Sequence, residues 1–527
     1  MKQAIPILAT IVLVVVVAAV SALTPKELPA PPLAELRERY SKERAASVDH
    51  SRFAQLQREF KSPQEVTEAC IGCHNGRHVE VMNSNHWRWE REEYVKGRGV
   101  VYLGKRNVVN NFCLAAEGNE LACAKCHAGY GMKSVKTFNF DDPRNVDCLV
   151  CHDGTGMYAK ASNAGGMPDP SVDLSLVATS VGRPTRQNCG ACHFFGGGGN
   201  NVKHGDLEEA LLEPSRELDV HMASDGANMQ CTDCHITEKH NIRGKLYSLS
   251  SMNRNRVTCE QCHGNTPHTD DLLNEHTLKV ACQTCHIPTY AKENATMVYW
   301  DWSTAGKLRD GKPYEEKDAE GNIVYLSKKG SFRWGKNLKP DYVWFNGTAD
   351  HYLPGDRVTD PSQPVAINRL AGSYADPDAK IVPVKIMRTR QFYDPVTQLL
   401  LLPKLFAPEH GVGALWKDFD PVKAVEVGMK ERGLPFSGRV DFVETVMYWP
   451  INHMVAPKEN VVKCTECHTR QGGRIANLTD FYIPGRDYSP KVEAIGKSIL
   501  WLSLLGVLAH GGMRMFSAWK RNKEGNP

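Results

Sequence analysis

Sixteen of the seventeen cysteines in this 527-residue chain sit in eight copies of one pattern, Cys-x-x-Cys-His. The pairs are Cys70 and Cys73, Cys123 and Cys126, Cys148 and Cys151, Cys189 and Cys192, Cys231 and Cys234, Cys259 and Cys262, Cys282 and Cys285, and Cys464 and Cys467. They close on His74, His127, His152, His193, His235, His263, His286 and His468. Thiols at this spacing form thioethers to a porphyrin edge, and the adjoining imidazole reaches the iron as an axial ligand. Zinc ribbons also use paired Cys-x-x-Cys. With 20 histidines in the chain, however, one would follow a given pair by chance about one time in 26, and it follows all eight. The pattern implies eight covalently attached c-type haems.

Each six-coordinate haem needs a second axial ligand, and twelve histidines remain outside the motifs. His86, His204, His221, His240, His268, His276 and His453 lie in or beside the haem-binding stretches, and are the candidate distal ligands. His50, His78, His351, His410 and His510 are placed less persuasively. Any one imidazole is more often a surface or core residue, but the demand for ligands reverses that expectation here. Seven distal histidines for eight haems leave one haem short. A bis-histidine haem relays electrons, whereas a haem with a different or missing distal ligand is where substrate can bind.

The elements that must position these groups are read from composition and spacing. Residues 1–22 are an apolar run after Lys2, a secretory signal or an N-terminal anchor. Residues 23–62 form a Pro-rich linker and a charged, helix-prone stalk or lid. Residues 63–290 are a haem domain with seven motifs. Residues 291–440 are a haem-free insertion with Trp300, Trp302, Trp334 and Trp344, short hairpins, and a helix near Pro421 to Arg432. Residues 441–490 carry the eighth motif and a closing segment. Residues 491–527 are a transmembrane helix and a basic tail. Its apolar part, Ser498 to Trp519, is about 33 Å long as a helix, enough to span. Lys520, Arg521 and Lys523 follow, which places the tail in the cytoplasm and the body outside. His510 and Arg514 share one face of that helix. Either they snorkel to the interface or they face a membrane subunit such as a quinol-linked cytochrome b.

The 43 glycines and 30 prolines fit a mainly α and irregular, loop-rich multihaem cytochrome c fold, wrapped around eight haems with few short β hairpins. The net charge of +4 omits the haem propionates, about sixteen for eight haems. No basic stripe with interleaved aromatics marks a nucleic-acid interface. Cys113 alone lies outside the motifs, so no cysteine pair remains for a disulfide.

Several stretches resemble the octahaem tetrathionate reductase family of multihaem cytochromes c, relatives of hydroxylamine oxidoreductase and pentahaem nitrite reductase. They are Asn-Asn-Phe-Cys at 110–113, Cys-Ala-Lys-Cys-His-Ala-Gly-Tyr-Gly at 123–131 and Asp-Cys-Leu-Val-Cys-His-Asp at 147–153. Phe-Gly-Gly-Gly-Gly-Asn-Asn-Val-Lys-His-Gly-Asp-Leu at 195–207 and Met-Tyr-Trp-Pro-Ile-Asn-His-Met-Val at 447–455 complete the set. The resemblance implies one active haem with a lysine amine as axial ligand. Here that lysine is Lys203, serving the second haem on Cys123 and Cys126 with His127 behind it. Lys133 and Lys160 lie near motifs as alternatives. Cys113 matches a cysteine beside the active haem, where a thiolate would exchange with sulfur compounds and a protonated thiol would simply pack. Asn200 stands where the family often has an acidic residue.

The resulting expectation is an exported, membrane-anchored enzyme with a periplasmic body. It reduces tetrathionate, nitrite or hydroxylamine at the lysine-ligated haem, fed by seven bis-histidine haems. Its electrons come from a donor in or near the cytoplasmic membrane. The rival expectations are a pure electron carrier and an oxidase resembling hydroxylamine oxidoreductase.

Overall fold

A computed structural model of the chain describes residues 48–244 and 254–524. The expected signal or anchor at 1–22, and the linker up to residue 47, lie outside these residues. The described residues fall into two compact units, one up to Val462 and one from Lys463 onward.

Up to residue 290 the helices of the first unit are short. The motifs fall on or against Pro63–Cys73, Glu120–Cys123, Leu149–His152, Arg186–His193, Cys231–Cys234, Glu260–His263 and Cys282–His286. Most are single turns, and an isolated turn fixes more dihedral freedom than its few hydrogen bonds repay. Two covalent bonds to one rigid porphyrin per turn would supply what the backbone lacks. The longest, Pro63–Cys73, also has ordinary start signals: Pro63 in the first turn and the Ser62 hydroxyl accepting from the Glu65 N–H at 3.3 Å. Leu56 and Phe60 are buried with Val66, Leu149, Val177 and Ala178. The described end of the segment read as a solvated stalk is therefore packed into the haem-bearing stretch.

Residues 296–450 are built differently. Seven strands run in the order Val365–Ala366, Asp441–Pro450, Lys380–Asp394, Thr296–Asp301, Gly330–Gly335, Ile323–Leu326, Glu315–Lys317. Asp341–Phe345 and Leu399–Leu400 also pair with Lys380–Asp394, giving a nine-stranded sheet. That 15-residue central strand pairs antiparallel with Asp441–Pro450, from Val384 opposite Pro450 to Tyr393 opposite Asp441. It pairs parallel with Thr296–Asp301. The sheet is larger than the short hairpins expected from sequence, and it takes in residues up to 450. Trp300, Trp302, Phe392, Met387 and Trp449 are buried in one cluster against it, each worth about 1.5–3 kcal/mol. The expected helix forms at Pro421–Arg432, capped by Asp420 at its start and closed by Gly433 in the left-handed region.

The second unit holds the Cys464–Cys467 turn and the 35-residue helix Pro490–Glu524. By length and composition Pro490–Lys523 can cross a bilayer.

Candidate functional site

Six motif imidazoles each face a second imidazole. Ring centres lie 6.1 Å apart for His74 and His50, 6.4 Å for His152 and His240, and 6.2 Å for His193 and His86. They lie 6.3 Å apart for His235 and His453, 6.0 Å for His263 and His221, and 6.1 Å for His286 and His268. One metal ion between two imidazole nitrogens sets ring centres about 6 Å apart, from ~2 Å of bond and ~1 Å to the ring centre on each side. These pairs therefore fit a haem iron between them. The outer nitrogens agree: Nδ1 of His152, His235 and His468 donates to the carbonyls of Gly182, Arg243 and Pro484 at 2.9, 2.8 and 2.9 Å. Nδ1 of His453 meets Asp206 at 3.1 Å, and Nδ1 of His240 meets Glu80 at 2.9 Å. Such bonds fix the ring and leave Nε2 to face a metal.

Five of the seven expected distal histidines stand in these pairs: His86, His221, His240, His268 and His453. His50, set aside on sequence grounds, stands in a sixth. It lies twenty residues before the first motif, on the three-residue turn His50–Arg52, and nothing local marks it. His276 donates from Nδ1 to Leu272 at 2.7 Å. His204 does not face a motif imidazole among the described residues; its ring meets the Trp449 ring edge-on at 5.0 Å.

His127 departs from the pattern. Its Nε2, the atom expected on iron, donates to the Trp87 carbonyl at 2.6 Å, and its buried Nδ1 has no partner. The ring is caged by Trp87, Trp89, Phe138 and Phe140, with centres at 5.3, 5.0, 5.5 and 6.3 Å. Burial in this cage pushes its pKa down to about 3. The expectation of His127 behind the second haem thus meets a physical obstacle: the imidazole is already engaged elsewhere.

Lys203 is half-buried, and its Nζ lies 4.7 Å from the Trp449 ring centre. Burial, with the Lys105 cation second, pushes its pKa down to about 8, and Cys126 is close enough to oppose this. The glycine run before it allows the approach. A side chain on Gly196 would meet the Lys203 Cδ at 3.0 Å, and Gly197 and Gly198 both take left-handed φ. The carbonyls of Val202 and Lys203 accept from the Lys385 ammonium at 2.8 and 3.0 Å, which also reaches Thr296 at 2.6 Å.

Cys113 ends a loop held by the same strand. The Asn111 amide donates to the Met387 carbonyl at 2.6 Å, and the Thr389 hydroxyl donates to the Asn111 carbonyl at 2.6 Å. The Gln391 amide donates to the Asn110 carbonyl at 2.8 Å. Residues 385, 387, 389 and 391 alternate along a strand and so share a face. One face of Lys380–Asp394 grips both candidate loops. Phe112 joins them, its ring 5.9 Å from that of Trp449. Burial raises the Cys113 pKa, although Lys329 and Lys105 pull against it. The residue is a thiol rather than the thiolate that exchange would require. Asn200 accepts from the Glu209 N–H at 2.9 Å, a loop-closing contact. Lys105 donates to the Cys123 carbonyl at 3.2 Å and lies over Trp89 at 4.5 Å.

Among solved structures, an octahaem cytochrome c from Shewanella oneidensis is 42% identical, with a TM-score of 0.75 over 82% of this chain and 96% of that one. The chain belongs to the octahaem cytochrome c family. Covalent c-type haem and multihaem redox function follow from that membership. The family described as bacterial cytochrome c matches residues 297–471, and that of cytochrome c554 and c-prime matches residues 188–264. An uncharacterised protein of Archaeoglobus fulgidus is 26% identical over 242 residues, 37% of this chain and 80% of that protein.

Proposed function

We propose that all eight motifs of this octahaem cytochrome c carry haem, and that the second, on Cys123 and Cys126, reduces a small anionic sulfur or nitrogen compound. Lys203 would hold its iron, and the other haems would relay electrons to it. The contrast at His127 carries this reading: six motif imidazoles face a partner, whereas this one is caged, and the Lys203 amine lies near Cys126 of the same motif. The haem iron supplies electron transfer and a binding position for the substrate.

The side chains do the rest. Burial favours the neutral amine of Lys203, the form that can coordinate. With His127 turned away, Lys203 would hold the iron of this haem. Lys105 and Lys329 act electrostatically on Cys113, and Lys105 and Lys203 act on Cys126. The Lys105 and Lys329 cations favour an anion, which ranks tetrathionate and nitrite above hydroxylamine. The Cys113 thiol holds a proton at Sγ and can hydrogen-bond or donate to the bound anion. Asn200, tied to Glu209, supports the glycine loop.

The motif thiols sketch the relay. Cys70 meets Cys148, Cys126 meets Cys192, Cys189 meets Cys231 and Cys259 meets Cys282. Neighbouring thiols imply neighbouring haems: first with third, second with fourth, fourth with fifth, sixth with seventh. The apolar helix Pro490–Glu524 and its basic end anchor an exported body beside a membrane electron donor.

Substitution of Lys203 by Ala tests the reading. Haem content stays at the wild-type level, the electron paramagnetic resonance signal of one ferric haem changes, and reoxidation of reduced protein by tetrathionate and nitrite slows more than about tenfold. An unchanged spectrum removes Lys203 from the site. Wild-type protein reoxidised only by other cytochromes is a carrier, not a reductase.

A further inference from the structure

His127 differs from the other motif histidines in its backbone as well as its ring. His74, His235 and His468 leave their helices at φ/ψ of −93/49, −83/61 and −85/66. His152, His193, His263 and His286 are still within helices. His127 alone is extended, at −87/136.

A buried ion pair holds it so. The Lys160 ammonium donates to the His127 carbonyl, to the Gly129 carbonyl at 3.1 Å, and to Asp147 at 2.9 Å. The side chains of Lys160 and Asp147 are 3% and 0% exposed. Asp147 is completed by the hydroxyls of Tyr130 and Tyr158 at 3.0 and 2.9 Å and by the Val150 N–H at 3.0 Å. The extended stretch is stitched on both sides: Ala128 N–H donates to the His86 carbonyl at 3.1 Å, and Asp147 N–H to the Ala128 carbonyl at 3.0 Å. Gly129 leaves room for the turned ring, since a Cβ there would come within 2.7 Å of His127 Cε1. Attachment at Cys126 brings the next residue beside the iron, where imidazole is a strong ligand. Keeping it away calls for a device costly to break, and a buried ammonium whose release would strand two charges is one.

We propose that the Lys160–Asp147 pair is a positioning clamp that withholds His127 from the second haem, leaving that haem to an amine and to substrate. The inference rests on the reading that Lys203 ligates this haem. Substitution of Lys160 by Met keeps the length and removes the charge. With haem content unchanged, the second haem gains an imidazole-ligated low-spin signature by electron paramagnetic resonance and near-infrared magnetic circular dichroism. Reoxidation by nitrite then slows more than about tenfold. Asp147→Asn shifts both readouts the same way. A wild-type spectrum in Lys160→Met overturns the clamp. If Lys203→Ala also leaves the spectrum unchanged, the ligation reading has failed; if Lys203→Ala alters it, only the clamp has. Should neither charge variant accumulate with its haems, wild-type protein is titrated with urea. The second haem must then convert to imidazole ligation before the other haems change, and simultaneous change overturns the clamp.

Discussion

The stretch from 63 to 290 and the sheet from 296 to 450 are folded by different forces. The first has seven haem motifs on helices of 4 to 11 residues and small apolar clusters. The second has no motif and a nine-stranded sheet over a tryptophan-rich core. One is organised around groups the chain binds, the other by side chains it encodes. Yet the candidate reaction site needs both: the second haem hangs on Cys123 and Cys126, while the loops bearing Lys203 and Cys113 hang on Lys380–Asp394. On the proposed function, the motif-rich half conducts and the motif-free half positions the groups that meet the substrate.

The sharpest way to break this comparison is to remove one haem. With Cys189 and Cys192 both changed to Ala, the 63–290 stretch loses an anchor near its centre. Soluble protein falls more than about tenfold, because single-turn helices do not hold alone. Near-wild-type yield with one haem fewer, by pyridine haemochrome and mass, would show that side-chain packing suffices there. An intermediate effect is expected from Lys385→Met on the sheet. It frees the Val202 and Lys203 carbonyls and leaves every motif in place. Haem content stays constant while the second haem's ligand-field spectrum broadens and nitrite turnover drops about tenfold. A sharp wild-type spectrum would mean that the strand does not position the site. The smallest effect belongs to a region outside the comparison. A chain ending at Ser489 keeps its haem spectrum and turnover with nitrite, and leaves the membrane fraction for the soluble one. Retention in the membrane would assign anchoring to another segment.

Much of the conducting half was legible because haem attachment writes itself into a contiguous five-residue pattern. The distal ligands were legible where they sit near motifs, as His240 and His268 do. His50 was not, because its partner His74 is chosen by tertiary packing through Leu56 and Phe60. The orientation of His127 was hidden for another reason: one ψ angle separates a ligating from a caged imidazole, and the motif reads the same either way. The signal that could have flagged it is Gly129, the small residue two positions on, beside the aromatic run Trp87, Trp89, Phe138 and Phe140. In the sheet, helix Pro421–Arg432 was readable from Asp420, Pro421 and Gly433. The central strand was not. Its first half is buried on both faces, so Lys-Ile-Val-Pro-Val-Lys-Ile-Met shows no clean alternation. Its main partner begins at residue 441, far along the chain.

Hanging both reactive loops on alternate residues of one strand also has a consequence for how such proteins diversify. Substitutions at 110–113 or 196–202 can re-line the candidate site without touching a residue that attaches a haem, pairs with a motif imidazole or is proposed to hold the second haem. The conducting array and the pocket are thus separable under selection: one wiring plan can be inherited unchanged while the chemistry at its terminus is rewritten.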